Sequence, residues 1–246
     1  DFCITTQQGR EIRMNDDNKN RDEANVDEMN LYHMIKQLYD VGQLEGYAHA
    51  DIENVKRLTG ALPKVLEEFW SVAGSTQQIH QVQDHWIRPQ DLPDYDWFRD
   101  SEYLILLNEN QGCCQAGILK SDLTKDDPPV YVTMDQKNWT VCAETVSEFL
   151  KAALAYEAVF AFSWQSDDFV LWLTEEELKV IEARLERKKY ELHGWIEMDM
   201  SFYSNAYDHM VVVMDCGDLE VIYGAASEKA YKKLMEVMEG LGEAES

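Results

Sequence analysis

Hydrophobic residues recur every three or four positions over several stretches of the chain, which is the spacing of a helix with one buried face. Gly60 and Gly74 mark the ends of two of these stretches, because glycine readily adopts the left-handed conformation that closes a helix. Pro63 suits the first position of a helix, where no backbone N–H is needed. The pattern predicts helices over residues 26–40, 49–59, 63–73 and 145–156.

Between residues 77 and 142 the pattern changes to short apolar runs bounded by polar, glycine and proline residues, which is typical of strands. Gly112 and Gly117 are expected at a β-bulge or at a close approach of two backbones. Pro128 and Pro129 cannot donate a ladder hydrogen bond, so they belong at the start or the edge of a strand. The predicted strands cover residues 86–88, 103–107, 114–119, 130–133 and 139–142.

The C-terminal third of the chain restarts the alternation of helix and strand. Thr174 and Glu177 have the spacing of a capping box, which predicts a helix from there to about residue 188. Ser227 is expected to open a final helix, and residues 216–218 to form a turn. The predicted strands between these helices cover residues 190–198, 210–215 and 220–223.

A boundary is expected near residues 157–170, where the pattern restarts. The fold class predicted is α+β, mainly an antiparallel sheet flanked by helices, with an additional C-terminal α+β segment. That segment is either a small second lobe or a set of strands added to the first sheet. The predicted division is a flexible polar arm over residues 1–25, a first domain over 26–157 and the C-terminal part over 158–246.

Composition narrows the classes of partner. The chain has 246 residues, is 45% hydrophobic and carries a formal net charge of −25, so it can bury a core but opposes direct binding to nucleic acid or to an anionic membrane. The charge favours cationic partners, although solubility alone would also explain it. No apolar run is as long as a membrane span. Five cysteines without a C-x-x-C pair argue against a disulfide framework, so a reducing cytoplasm is expected.

Motifs for catalysis or for metal and cofactor binding are not apparent. The chain has no glycine-rich phosphate loop, no H-E-x-x-H and no G-x-S-x-G. His80 and His85 are spaced too unfavourably for a zinc pair on one helix face. Cys113 and Cys114 lack a nearby base, so they are interpreted as small apolar groups more readily than as nucleophiles. We therefore expect no catalytic residue, no metal and no cofactor.

The tryptophans divide into two groups. Trp97 and Trp86 lie in or near a polar, acidic loop over residues 89–98 that also contains Asp94 and Asp96. An aromatic side chain beside carboxylates can anchor a protein partner, or it can hold its own loop against the core. The tryptophans in periodic segments are predicted to be core residues; they are Trp70, Trp139, Trp172 and Trp195.

Two segments together resemble a known family. Residues 108–118 read NENQGCCQAGI, and residues 127–131 read DPPVY. With the segment LPKVLEEFW at 62–70, followed by Ala73 and Gly74, they resemble the SUKH superfamily, which comprises Smi/Knr-like cell-wall regulators and bacterial toxin-immunity proteins. The resemblance covers about residues 48–156. The residues assigned to its structural motif are Leu62, Pro63, Phe69, Trp70, Gly74, Asn110, Gly112, Asp127, Pro128 and Pro129.

The resemblance implies a non-enzymatic, cytoplasmic immunity protein that binds and blocks a cognate toxin. A nuclease toxin would have a basic surface, because it holds phosphates. The alternative is a regulatory scaffold of cell-wall synthesis or signalling, and an enzyme is the third and least supported possibility. Glu109 and Gln111 are either partner contacts or residues that fix their hairpin. The candidate partner contacts are Asp94, Asp96, Trp97, Glu109, Gln111 and Trp86.

Overall fold

The computed structural model describes residues 31–166 and 170–244 of the chain. The predicted arm over 1–25 and the first part of the predicted helix over 26–40 lie outside these residues. The described part contains seven helices and two antiparallel sheets, so the α+β class is confirmed. The helices are α1 (31–38), α2 (His49–Thr59), α3 (Lys64–Val72), α4 (Trp97–Asp100), α5 (Val146–Ala161), α6 (Glu175–Arg184) and α7 (Glu228–Met238).

The first sheet is an antiparallel meander whose five strands lie side by side in chain order. In its middle, Ile105 pairs with Gly117, and Gly117 pairs with Tyr131. A β-bulge interrupts the second strand between Ile105 and Leu107. All five predicted strands are present, with ends that shift by one or two residues: β1 (His85–Trp86), β2 (Tyr103–Asn108), β3 (Gln115–Leu119), β4 (Val130–Thr133) and β5 (Thr140–Ala143).

The second sheet is built from the C-terminal part of the chain. Its order is β12-β7-β11-β10-β9-β8, and β6 pairs with β11 beside β7. The C-terminal strands therefore form a sheet of their own and do not extend the first one. Their bounds are β6 (Trp164–Gln165), β7 (Leu171–Leu173), β8 (Arg187–Trp195), β9 (Met198–Tyr203), β10 (His209–Asp215), β11 (Leu219–Ala225) and β12 (Glu243–Ala244).

The single strand predicted over residues 190–198 is wrong. The chain reverses there through a two-residue turn at Ile196 and Glu197, whose φ angles are 51° and 63°. Two consecutive left-handed residues suit the turn of a twisted hairpin, a position that Asn and Gly usually occupy. Because neither residue is a turn former, the hairpin between β8 and β9 could not be recognised from local residue types.

Helix α5 packs against β5 of the first sheet and against β8, β10 and β11 of the second. All five residues predicted to form the apolar side of this helix are buried, while Ser147, Glu148 and Lys151 are half-buried. Burial extends beyond that side in the second half of the helix, where every residue from Ala152 to Val159 is buried, which is typical of a helix that enters the core. The helix also continues to Ala161, through the first residues of the predicted boundary, and a single hydrophobic core extends from Leu31 to Ile222.

Helices α6 and α7 cover the opposite face of the second sheet. A second hydrophobic cluster there includes Ile181 of α6 and Leu234 of α7, packed with alternate residues of β10 and β11. The Thr174 hydroxyl accepts from the Glu177 amide at 3.3 Å while the Glu177 carboxylate accepts from the Thr174 amide at 2.8 Å, which confirms the predicted capping box. Within the residues described, no helix is both long and apolar enough to cross a bilayer.

The helices before the first sheet follow the predicted boundaries closely. Gly60 ends α2 with a φ angle of 84°, and Pro63 directly precedes α3. Gly74 is required by packing, because a Cβ atom at this position would lie 2.8 Å from both the Trp70 Cα atom and the Tyr47 ring. Leu62, Phe69 and Trp70 are buried beside the first sheet.

Candidate partner-binding surface

The two faces of the first sheet have different surroundings. Successive side chains of a strand point to opposite faces, so Leu104, Ile118 and Val132 enter the core while Tyr103 and Tyr131 face outward. The outward face is therefore where aromatic side chains of neighbouring strands can meet.

A groove of about 810 Å³ lies on this outward face. One wall comes from α4 and the residues that follow it, the floor from β2 and β3, and the other wall from the turn between β4 and β5. We call this the aromatic groove; its lining includes Trp97, Asp100, Glu102, Tyr103, Ile105, Gln115, Lys137, Asn138 and Trp139.

An aromatic stack dominates the groove. The rings of Tyr103 and Trp139 are nearly parallel, with centroids 3.9 Å apart and an interplanar angle of 12°. The Tyr131 ring meets Tyr103 edge-on at 5.6 Å. Tyr103 and Trp139 are both half-buried, so the stack combines a fixed position with an accessible apolar surface. Rigid aromatic side chains of this kind are common anchors in protein interfaces.

Gly117 allows the floor of the groove to form. It lies in β3 between Ile105 and Tyr131, on the outward face. A Cβ atom at this position would lie 2.8 Å from the Leu104 carbonyl oxygen and 3.2 Å from the Ile105 Cα atom. The close approach predicted for this glycine is therefore present, and no other residue fits the position without a shift of β2.

The wall formed by α4 is tied to the sheet from behind. Phe98 is buried, and the Lys120 ammonium lies 5.4 Å from its ring centroid while donating to the Phe98 carbonyl oxygen at 2.6 Å. On the solvent side, Trp97 stacks on Tyr95 with centroids 5.2 Å apart. These contacts on both sides of the short helix α4 fix the half-buried Trp97 at the rim of the groove.

The rim of the groove carries carboxylates. Asp100 and Glu102 line it, and Asp94 and Asp96 are exposed on the segment that leads into α4. None of the four forms a salt bridge with another described residue. Lys137 is the cation of the lining, and it lies on the opposite wall. The surface thus combines aromatic rings with acidic groups that form no salt bridge to another described residue.

The turn between β2 and β3 is organised by a carboxylate. One oxygen of Glu109 accepts hydrogen bonds from the backbone N–H of Gln111 at 2.8 Å and of Cys113 at 3.3 Å, and from the Cys113 thiol at 3.1 Å. Gly112 completes the turn with a φ angle of 75°. A Cβ atom on Gly112 would meet nothing within 4 Å, so the predicted close approach is absent and the positive φ is the reason for glycine.

A second carboxylate links this turn to the core. Asp84 accepts from the Asn110 backbone N–H at 3.1 Å, and its own N–H donates to a Glu157 carboxyl oxygen at 3.0 Å. Burial raises the pKa of Glu157 well above its usual range, and the charge of Asp84 adds to the effect. Burial also raises the pKa of Asp84, while hydrogen bonds from Glu157 and Asn110 partly oppose it. The arrangement fits a protonated Glu157 that donates to an ionised Asp84.

This carboxyl pair is sealed from solvent. Asp84 is 2% exposed and Glu157 is fully buried, so no reactant reaches either group in this conformation. The Trp195 indole is close enough to lower the pKa of Asp84 slightly, but its N–H does not meet the geometry of a hydrogen bond. Within the described residues no group of three His, Cys, Asp or Glu side chains could hold a metal ion. The pair therefore connects the turn to α5 and offers no open site for chemistry.

The structure separates the six residues predicted to contact a partner. Trp97 lines the groove, Asp94 and Asp96 lie on the adjoining segment, and Gln111 is exposed at the turn after β2. Two members require correction, because burial removes their side chains from any surface. Trp86 is packed between Phe69 and Phe149, and Glu109 is 7% exposed.

Three structural-motif residues occupy boundary positions next to β4 and α5. Pro128 and Pro129 lie directly before β4, and Asp127 accepts from the Ser147 backbone N–H at 2.9 Å, in the first turn of α5. Among the tryptophans, Trp70 and Trp195 are core residues as predicted. Trp139 is half-buried in the groove, and the prediction for Trp172 is wrong, because it is 38% exposed.

Sequence reasoning did not single out Tyr103 and Tyr131, and it assigned Trp139 to the core. The signal for the two tyrosines was the alternation within their strands. Each tyrosine is next to a residue that points into the core, so the tyrosine side chain must point outward. Glu157 carried a signal too, as a single carboxylate within a long apolar run.

Comparison of the chain with protein-family models, with curated proteins and with solved structures finds no match. The resemblance of the turn after β2 and of the DPPVY segment to the SUKH superfamily therefore stays an expectation from motifs.

Proposed function

We propose that this chain is a non-enzymatic, intracellular immunity protein that neutralises a toxin domain with a basic surface by direct binding through the aromatic groove. The observation that carries the proposal is the meeting of a rigid aromatic stack, Tyr103 on Trp139, with carboxylates that form no salt bridge to another described residue. In protein interfaces, rigid aromatic residues at the centre, surrounded by a polar and charged rim, contribute most of the binding energy.

The charge of the whole chain supports a cationic partner. A formal net charge of −25 attracts a basic surface over a distance of about a Debye length and repels nucleic acid. A nuclease toxin has a basic surface because it binds phosphates. An acidic inhibitor would associate with such a domain quickly at low salt and would compete with its substrate for the same surface.

A binding function is also supported by the state of the reactive groups. The Asp84–Glu157 pair is enclosed, and burial raises the pKa of the Cys114 thiol to about 12. The hydrogen bond to Glu109 raises the pKa of the Cys113 thiol, which disfavours the nucleophilic thiolate. The cysteines of the described residues are unpaired, which supports a reducing compartment such as the cytoplasm.

The proposal is tested with the purified chain and the toxin domain encoded beside its gene. We expect stoichiometric inhibition of the toxin and an association rate that falls as salt is raised. The double variant Asp94→Lys with Asp96→Lys should slow association and weaken its salt dependence. The matched control, Asp218→Lys with Glu239→Lys, makes the same change of charge at exposed positions near the second sheet and should have a smaller effect.

Inhibition without any effect of the Asp94/Asp96 variant, or with an equal effect of the control, would place the binding surface elsewhere. Failure of the unaltered chain to bind or inhibit the toxin would contradict the immunity function itself.

A further inference from the structure

We propose that the aromatic groove is a receptor for an arginine side chain of the partner, held on the Tyr103–Trp139 stack and between Asp100 and Glu102. This inference rests on the proposed binding function and specifies what the groove recognises.

The ring faces favour a cation. Tyr103 and Trp139 cover one face of each other, and Tyr131 meets Tyr103 edge-on, so the second face of Trp139 is the ring face offered to another group. Trp97 supplies a further ring of the lining. A cation above the face of a tryptophan or tyrosine is attracted by the ring quadrupole, and the attraction grows as water is excluded. Phe98, adjacent to Trp97, already holds the Lys120 ammonium in this way on the inner side of the same segment.

The carboxylates exclude an apolar occupant. Asp100 ends α4 and Glu102 precedes β2, and both line the groove without a salt bridge. An apolar side chain would remove water from these carboxylates and leave them without a partner, which is unfavourable. A guanidinium offers five N–H donors in a plane, so it can stack on a ring and bind carboxylates at its edge at the same time. An ammonium lacks that plane, which favours arginine over lysine.

The lysine of the lining sets the direction of entry. Lys137 lies on the turn between β4 and β5, across the groove from Asp100. Two cations repel each other, so the guanidinium is expected on the side of Asp100 and Glu102, away from Lys137.

The test uses the full ¹⁵N-labelled chain and three blocked tripeptides, Gly-X-Gly, in which X is arginine, lysine or citrulline. Citrulline has nearly the shape of arginine without the charge. We expect the arginine peptide to shift the indole N–H resonances of Trp97 and Trp139, the lysine peptide to shift them less, and the citrulline peptide to leave them unchanged. The exposed Trp164 and Trp172 serve as internal controls on the second sheet.

Two variants assign the binding to named groups. Asp100→Asn combined with Glu102→Gln should weaken binding of the arginine peptide on the order of fivefold, the effect of losing weak ion pairs at a partly exposed site. Trp139→Leu should weaken it by a similar factor, and Trp172→Leu should not change it.

The inference is overturned if the arginine peptide shifts neither groove indole, if citrulline or lysine matches arginine, or if Trp164 and Trp172 respond equally. Toxin inhibition without any response to the arginine peptide would refute this inference and leave the proposed function intact. A specific response to the arginine peptide in a chain that inhibits no toxin would uphold the inference and refute the proposed function.

Discussion

Asp84 and Glu157 are 73 positions apart in the chain, yet the Asp84 backbone N–H donates to the Glu157 carboxyl at 3.0 Å inside the core. The contact joins the start of the first sheet to the middle of α5. Through the bond from Asn110 to Asp84, it also reaches the turn between β2 and β3. A turn on the surface is thus fixed by a side chain pair that no solvent reaches.

This contact makes stability depend on pH. The pKa of Glu157 and the pKa of Asp84 are both raised by folding, first by burial, so the native state holds more protons than the unfolded state above about pH 4. Stability from this pair is therefore greatest below the unfolded pKa values. It falls as the pH rises through the native ones, by at most about 1.4 kcal/mol per pH unit for each proton.

The variant Glu157→Gln tests this dependence, because glutamine can accept from the Asp84 N–H and donate to its carboxylate without ionising. We expect the free energy of unfolding of the variant, relative to the unaltered chain, to increase steadily with pH in urea titrations. The control is Glu176→Gln, at an exposed position in the first turn of α6. Parallel pH profiles of Glu157→Gln and the unaltered chain would contradict a shared proton.

Gly117 and Gly112 should respond differently to the same substitution. Alanine at Gly117 would place a Cβ atom 2.8 Å from the Leu104 carbonyl oxygen, so we expect a loss of about 1–3 kcal/mol from overpacking. Alanine at Gly112 meets no atom, and only its φ angle of 75° is unfavourable, so the loss should be about 1 kcal/mol. Thermal or urea unfolding measures both.

Asparagine provides the check on these two mechanisms. It tolerates the left-handed conformation, so Gly112→Asn should recover much of the stability lost in Gly112→Ala. Gly117→Asn should recover nothing, because its obstacle is steric. If the two asparagine variants behave alike, positive φ at Gly112 and close approach at Gly117 are not separate causes of the stability lost in the alanine variants.

The thiol of Cys113 should become more reactive when Glu109 loses its charge. The hydrogen bond to Glu109, followed by burial and the Glu109 charge, raises the pKa of this thiol. Glu109→Gln removes the charge, so the pKa falls, the thiolate fraction at neutral pH rises and alkylation by iodoacetamide accelerates. Cys216 is exposed in the turn between β10 and β11 and serves as the reference thiol. An unchanged ratio of the two alkylation rates would show that Glu109 does not control Cys113.

The capping box of α6 should contribute measurably to stability. Thr174→Ala removes the hydroxyl that accepts from the Glu177 amide, and we expect a loss of about 1 kcal/mol in the free energy of unfolding. Thr174→Ser keeps the hydroxyl and is the matched control. Equal losses in the two variants would assign the effect to the methyl group and not to the cap.

Sequence patterns predicted the elements whose signals are local. The strands of the first sheet, the end of α2 at Gly60 and the capping box at Thr174 each depend on neighbours within a few residues. Most of the missed elements depend on distant partners: β6, β7 and β12 are only two or three residues long and exist through pairing with other strands. The turn at Ile196 and Glu197 lacked the residues by which such turns are recognised.

Only the part of the candidate site that is local in sequence was predicted. Trp97, Asp94 and Asp96 stand together in sequence, and the structure keeps them on one segment. The stack of Tyr103 on Trp139 joins residues 36 positions apart, so only the register of the sheet brings them together. Trp86 seemed to belong to the polar loop because of its neighbours, yet β1 turns it inward against Phe149.

Helix α5 connects the sheet on which the aromatic groove lies to the second sheet. Strands of both sheets pack on this helix, so a fragment cut near Glu157 would expose apolar side chains of the helix to water. The two parts of the chain are therefore inseparable as folding units. The second sheet also packs on α5, so a change in the shape of the groove would require this helix to move. A partner would therefore bind a preformed surface and would lose little binding energy to rearrangement.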